Sequence, residues 1–317
     1  MTVHTTAPGE AGTAHRSVLV KPGMCGHNSL FAGSLGDWTW DTVSELCGIN
    51  AFDATNPDGA PTYLSFYYFH IRASRRLHVN SLTFGDRLDV RSRLFDFGSE
   101  SILTLHQVRR EGARSGAVDP DAFYRFDDPD CIYVENYNRW ITRSRPGSNE
   151  DLVKSSPVGF RHDHLPRLPD AYSPRRVYNH ARTALTFLDG TPAGRVPLGH
   201  GFTVDYPVEP SRDLNGVGLL YFASYFSIID WALLRFWRHL GRGTAAFLDR
   251  VVLDHRLCYL GNADADAVLR VSVDAWETAG EPGDEIVNLV IRDRDSGRTL
   301  AVSTLHVLST GGAHDDA

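Results

Sequence analysis

The chain has 317 residues, 42% hydrophobic and 22% charged, which is enough for a large core and, at roughly 150 residues per domain, for two units. Its net charge of −7 gives a nucleic-acid partner no global electrostatic support. Lys21 and Lys154 are the only lysines among 32 basic residues, so arginine is the default cation here and no single arginine marks bidentate recognition.

Residues 1–16 are small and polar with no apolar core of a secretory signal, and they read as a disordered lead-in. Ser17 to Lys21 reads as a short strand ended by Pro22-Gly23. Phe31, Leu35, Trp38, Thr42 and Leu46 then recur at steps of three or four, which predicts a helix stopped at Gly48. Gly33 and Gly36 inside it cost about 1 kcal/mol each against alanine, so the helix should press closely on a neighbour.

After the turn Asn56-Pro57-Asp58-Gly59 comes the aromatic run Tyr63-Leu64-Ser65-Phe66-Tyr67-Tyr68-Phe69-His70, a strand by composition. Unbroken alternation would put Tyr63, Ser65, Tyr67 and Phe69 on one face and Thr62, Leu64, Phe66, Tyr68 and His70 on the other. Both faces are largely apolar, so both should be covered. Arg87 to Phe97 and Ser101 to Arg110 form a hairpin pattern, and Cys131 to Ile141 is a further strand.

From Arg143 to Val196 the periodicity weakens among scattered prolines, and the stretch reads as a long linker with a short helix around Tyr178 to Leu188. Strand character returns at His200 to Tyr206. Leu219 to Trp237 is apolar nearly all round, which suits a helix buried on most sides; Asp230 and Arg235 argue against a membrane span. Arg250 to Leu260, Ala267 to Trp276 and Glu285 to Val307 are strand-like, the last broken by a turn at 293–297. Strand, helix and several strands thus occur twice. The organisation expected is a first unit over 17–165, a linker over 166–198 and a second unit over 199–317.

No H-e-x-x-H or clustered Cys/His set suggests a metal, and no dinucleotide fingerprint, Walker loop or G-x-S-x-G elbow is present. Cys25, Cys47, Cys131 and Cys258 are too far apart for a C-x-x-C pair and read as bystander thiols of a reducing cytoplasm. Two segments before the helices, Gly26-His27-Asn28-Ser29 and Asn215-Gly216-Val217-Gly218, offer backbone N–H groups to an oxyanion. Asn28, Asn215, Gly216 and His27 are therefore the substrate-binding candidates, with His27 able to act as a base. Plain helix capping accounts for Asn28 and Asn215 equally well. His70, His78 and His106 have no spacing that commends them. The arginines from 139 to 176 make the middle of this acidic chain basic, as a solvated linker or as a landing place for an acidic carrier or coenzyme A phosphates.

The order helix-then-antiparallel-strands, twice over, resembles the double hot dog, an α+β fold of two tandem units, each a sheet wrapped around a long helix. Gly36-Asp37-Trp38-Thr39-Trp40 and Pro61-Thr62-Tyr63-Leu64-Ser65-Phe66 resemble the amino-terminal hot dog of the leinamycin-pathway bifunctional acyltransferase/decarboxylase family. Residues 213–225 (Asp213-Leu214-Asn215-Gly216 onward) and Tyr259-Leu260-Gly261-Asn262-Ala263-Asp264 resemble its carboxy-terminal hot dog. The resemblance implies that methylmalonyl-CoA is taken up on a tyrosine, decarboxylated, and passed as propionyl to an acyl carrier protein in polyketide biosynthesis. Tyr63 is the position that matches the acceptor, with Tyr67 and Tyr68 close by. It implies no cofactor beyond the thioester substrate, no nucleic-acid or membrane partner, and a cytoplasmic enzyme for which monomer and homodimer are equally admissible. Within the same scaffold the rival is a thioesterase using Tyr225 and Asp230 on the second helix. Outside it the rival is a non-catalytic module that binds an acyl carrier protein.

Overall fold

The computed structural model describes residues 3–4, 11–26, 30–112, 118–190 and 193–309. The chain divides into two compact units. The first comprises the residues up to Gly26 and Leu30–Arg176, and the second runs from Val177 onward, together with 27–29.

In the first unit, β1 (Val3–His4) and β2 (Thr13–Leu19) precede α1 (Leu30–Cys47), followed by β3 (Tyr63–Arg72), β4 (Arg87–Asp96), β5 (Ser101–Arg110), the short α2 (Pro120–Phe123), β6 (Ile132–Arg143) and β7 (Leu152–Lys154). These strands pair antiparallel in the order β1-β2-β4-β5-β6-β3, and β7 pairs with the end of β6. Helix α1 buries Phe31, Leu35, Trp38, Thr39, Thr42 and Val43 at helical spacing, together with Gly33 and Gly36. Val43 and Cys47 pack with Leu64, Leu94, Ile102 and Trp140 from the sheet. Gly48 ends the helix at φ +61°, the left-handed conformation that favours glycine.

Strand β2 corrects the reading of 13–16 as part of a disordered lead-in. It starts at Thr13 and alternates half-buried Thr13 and His15 with buried Ala14, Arg16 and Val18. A buried arginine between small polar residues hides a strand's hydrophobic signature. The Arg16 guanidinium is held by Asp41 Oδ2 at 3.0 Å and Thr42 Oγ1 at 2.8 Å on α1. The stretch from Arg143 also proves more structured than a linker. Beyond β7, Phe160 packs on Trp140, His162 Nδ1 meets Asp96 Oδ1 at 2.8 Å, and Pro166 O accepts from Asp96 N at 2.9 Å. Isolated contacts of this kind leave no period for a sequence to display.

Helix α3 (Pro174–Ala184) starts four residues earlier than the helix expected near Tyr178, with proline at its first turn, where a missing N–H costs nothing. The second unit continues with β8 (Arg195–Pro207), α4 (Pro210–Asp213), α5 (Phe222–His239), α6 (Thr244–Leu248), β9 (Val251–Tyr259), β10 (Val268–Thr278), β11 (Asp284–Asp293) and β12 (Thr299–Leu308). Its sheet order, β9-β12-β11-β10-β8, repeats element for element the order β3-β6-β5-β4-β2 of the first unit. Helix α5 buries Tyr225, Phe226, Ile228, Ile229, Leu233, Phe236 and Trp237 and leaves Arg235 and Arg238 exposed. Among the described residues no helix is long and apolar enough to cross a membrane.

Candidate active site

Tyr63 opens β3, and the preceding turn sets its place. Asn56 Oδ1 accepts from Asp58 N at 3.1 Å and Ala60 N at 2.8 Å, Thr62 N donates to Ala54 O, and Thr142 Oγ1 donates to Pro61 O. Leu64 faces α1, so Tyr63 points to the other side of the sheet, opposite Ile141 of β6. The phenol is half-buried, and its ring lies 6.0 Å from the Arg143 guanidinium carbon. Among the described residues nothing hydrogen-bonds to its hydroxyl, so that oxygen remains available to a ligand.

A bulge between Phe66 and Tyr68 corrects the expected faces of this strand. Because Tyr67 is the extra residue, Phe69 pairs with Asn136 and joins Leu64 and Phe66 under α1, while Tyr68 and His70 join Tyr63 and Ser65 on the outer side. The outer side is not fully covered either: Tyr63, Ser65 and Tyr67 are half-buried. Burial raises the Tyr67 phenol above its ordinary value against the opposing pull of Arg139, and Tyr68 is only 1% exposed.

The inward side of this sheet is unusually polar. His106 is fully buried between Ser92 Oγ, 2.7 Å from Nδ1, and Thr39 Oγ1 of α1, 2.8 Å from Nε2, and Asn136 Nδ2 donates to the same threonine at 2.7 Å. Burial, reinforced by Arg16, lowers the His106 pKa to about 3, so the imidazole is neutral and structural.

In the second unit the two segments singled out in sequence lock each other. Asn262 Oδ1 accepts from Leu220 N at 3.0 Å and its Nδ2 donates to Leu220 O at 2.9 Å. Tyr225 Oη donates to Gly261 O and Tyr259 Oη to Phe222 O. Buried Asp213 accepts from Tyr206 Oη at 2.9 Å and Glu209 N at 2.8 Å, and its carbonyl accepts from Ser224 Oγ and Tyr221 N. Asn215 is not the cap of α5, whose N-cap is Tyr221. Its Oδ1 closes the preceding loop, accepting from Val217 N at 3.1 Å and Leu219 N at 3.0 Å. That bonding fixes the carboxamide plane and leaves Nδ2 as its free donor among the described residues. Gly216 is exposed, with open space where a β-carbon would stand.

His27 and Asn28 lie outside the described residues. The hydrolytic candidates are committed elsewhere. Asp230 Oδ2 is ion-paired at 2.9 Å to Arg250, itself 2% exposed, and burial raises the Tyr225 phenol above its ordinary value. Burial pushes the thiols of Cys47 and Cys131 up to about 12, which makes them poor nucleophiles. Among the described residues no group of three or more His, Cys, Asp or Glu could hold a metal ion. Sequence reasoning missed Arg143 as a neighbour of Tyr63. Its place two residues beyond Ile141 on β6 becomes evident only with the β3–β6 register.

A family model described as LnmK N-terminal Hot Dog Fold domain matches residues 15–189. No curated protein sequence matches the chain. Among solved structures, an acyl-ACP thioesterase from Bacteroides thetaiotaomicron aligns at TM-score 0.55 and 10% identity, covering 93% of this chain and 98% of that one. A 12:0-ACP thioesterase from Umbellularia californica aligns at TM-score 0.55 and 11% identity, covering 96% and 100%. At such identities these two likenesses establish the fold alone: a double hot dog.

Proposed function

Because the chain belongs to the LnmK N-terminal hot dog fold domain family, we propose that it is an acyltransferase/decarboxylase that forms propionyl-acyl carrier protein from methylmalonyl-CoA through an ester on Tyr63. The phenol oxygen attacks the thioester carbonyl, the carbon–sulfur bond breaks, and the phenol proton leaves with the coenzyme A thiol. The carboxylate of the tyrosyl ester is lost as carbon dioxide. The electron pair of that bond forms an enolate, and protonation at carbon gives the propionyl ester. The carrier thiol then displaces the phenol. No cofactor is needed.

A free phenol titrates near 10, so ionising one at neutral pH costs roughly 4 kcal/mol. The Arg143 guanidinium carbon lies 6.0 Å from the centre of the Tyr63 ring. A phenolate also leaves more readily than an alkoxide, which suits a group that must hand its acyl fragment on.

The observation that carries this reading over hydrolysis is the Asp230–Arg250 ion pair. A carboxylate held by a buried guanidinium is a weak base for activating water, whereas the Tyr63 oxygen has no such commitment. Intact-protein mass spectrometry after mixing with methylmalonyl-CoA tests it. A mass gain equal to propionyl or methylmalonyl, absent in Tyr63→Phe, is expected. Free acid produced at an undiminished rate by Tyr63→Phe and abolished by Asp230→Asn would establish the thioesterase instead. Carrier binding with no thioester consumed would leave a non-catalytic module.

A further inference from the structure

The side of the first sheet that carries Tyr63 also carries a cluster of arginines and phenols. Along β6, Tyr137, Arg139 and Arg143 alternate with the α1-facing Asn136, Asn138 and Trp140. The Arg139 guanidinium lies 4.7 Å from the Tyr67 ring centre and 5.5 Å from that of Tyr137, flanked across the ladder by the small side chains of Ser65 and Ser101. Arg175, from the first turn of α3, reaches the same phenol: its Nε and the Arg139 Nη2 each lie 3.4 Å from the Tyr137 oxygen. Two cations therefore converge on one uncharged atom. Burial opposes ionisation of Tyr137, yet the bonds from Arg175, Ser101 and Arg139 prevail and hold it below the ordinary phenol value.

Like charges brought so close repel, and an anion among them removes that cost. Arg175 is exposed and pairs with no carboxylate among the described residues; its other contacts are the Phe97 carbonyl at 3.2 Å and the Phe97 ring. Glu100, which acts on Tyr67, is itself ion-paired to Lys154 at 3.5 Å. The distance along the sheet is suggestive. Four residues separate Ile141, the partner of Tyr63, from Tyr137, about 14 Å at the usual strand rise. An extended pantetheine chain is of similar length, and half-buried Tyr63, Ser65, Tyr67 and Arg139 line the way.

We propose that Arg175 and Arg139, drawn together at the buried Tyr137 hydroxyl, form a binding site for the phosphate at the head of a pantetheine arm, the group that coenzyme A and a phosphopantetheinylated carrier share. The inference rests on the reading that the chain handles pantetheine thioesters. One site would then serve donor and acceptor in turn, each placing its thiol end at Tyr63.

Calorimetric titration of the full chain with pantetheine, 4′-phosphopantetheine and coenzyme A tests this without any acyl group, so it does not depend on whether Tyr63 is acylated. Wild type should bind phosphopantetheine at least about tenfold more tightly than pantetheine, as expected for a charge-assisted bond. Arg175→Ala should erase that difference without changing pantetheine affinity, and Arg175→Lys should keep part of it. Coenzyme A should weaken in Arg175→Ala by the same factor as phosphopantetheine. The proposal is overturned by equal binding of phosphopantetheine and pantetheine to wild type, or by discrimination that survives in Arg175→Ala. It is equally overturned if coenzyme A alone weakens, because the site would then read the nucleotide phosphates.

Discussion

In the first unit Arg16 reaches from β2 to Asp41 and Thr42 of α1, and in the second Arg250, just ahead of β9, reaches Asp230 of α5. Each long helix is thus held by a buried arginine, and five strands of the first unit follow the same order as the five of the second. They differ in what is left over. In the second, the conspicuous polar groups satisfy one another: Asp213 with Tyr206, Asn262 with Leu220, Glu285 with Trp237 and Arg242. In the first, Tyr63 keeps a half-buried hydroxyl with no partner among the described residues, and two arginines crowd Tyr137. The comparison teaches that one strand order can carry two quite different patterns of polar pairing.

The sharpest way to break that contrast is to exchange the two suspected catalysts. Tyr63→Phe should lower acyl transfer on the order of 10³-fold or more, the scale on which a lost nucleophile is felt. Asp230→Asn, measured by the same transfer of propionyl to carrier, should stay near wild type. If the second unit held the chemistry, the two results would be reversed.

A second prediction separates the cores. His106 is buried neutral with a pKa near 3, against about 6.5 in an unfolded chain. Below pH 6.5 the unfolded state binds a proton that the folded state refuses. The stabilisation from this group is therefore complete above pH 6.5 and is lost as the pH falls toward 3, at up to about 1.4 kcal/mol per unit. Urea titrations between pH 7 and pH 4 should show this steep loss. His106→Gln should flatten the slope even though it lowers stability at pH 7.

Much of this arrangement could be read from the sequence, and the parts that could not have physical reasons. Both long helices follow from apolar spacing, and β4, β5 and β9 to β12 from alternation between turn residues. The bulge at Tyr67 escaped because one extra residue within Phe66-Tyr67-Tyr68-Phe69 changes no composition while moving Phe69 to the opposite face. Tyr63 could be named, since the motif around it is local. Arg143, Arg139 and Arg175 could be seen only as members of a basic run, because their meeting with tyrosines depends on strand register and on a helix 32 residues beyond Arg143 in the case of Arg175. The loop at 213–219 was recognisable, but Asn215 does not cap the helix that follows. Its oxygen closes a loop several residues before the helix begins.

The pairing in the second unit can be tested at its anchor. Arg250→Ala should destabilise the fold by about 3 kcal/mol, because it leaves Asp230 without its partner in a largely buried place. Arg250 also donates to Phe247 O and stacks on the Phe247 ring, so α6 should loosen as well. Hydrogen exchange across 244–250 would register that second effect separately from the global loss.

The smallest expected effect is the most discriminating for Asn215. Asn215→Ala removes the acceptor of two backbone N–H groups and should cost about 1 kcal/mol of stability. Asn215→Asp keeps an acceptor in the same place and should retain most of it. Urea titrations of the two variants beside wild type read this directly. An equal loss in Asn215→Asp would show that the loop does not depend on the acceptor.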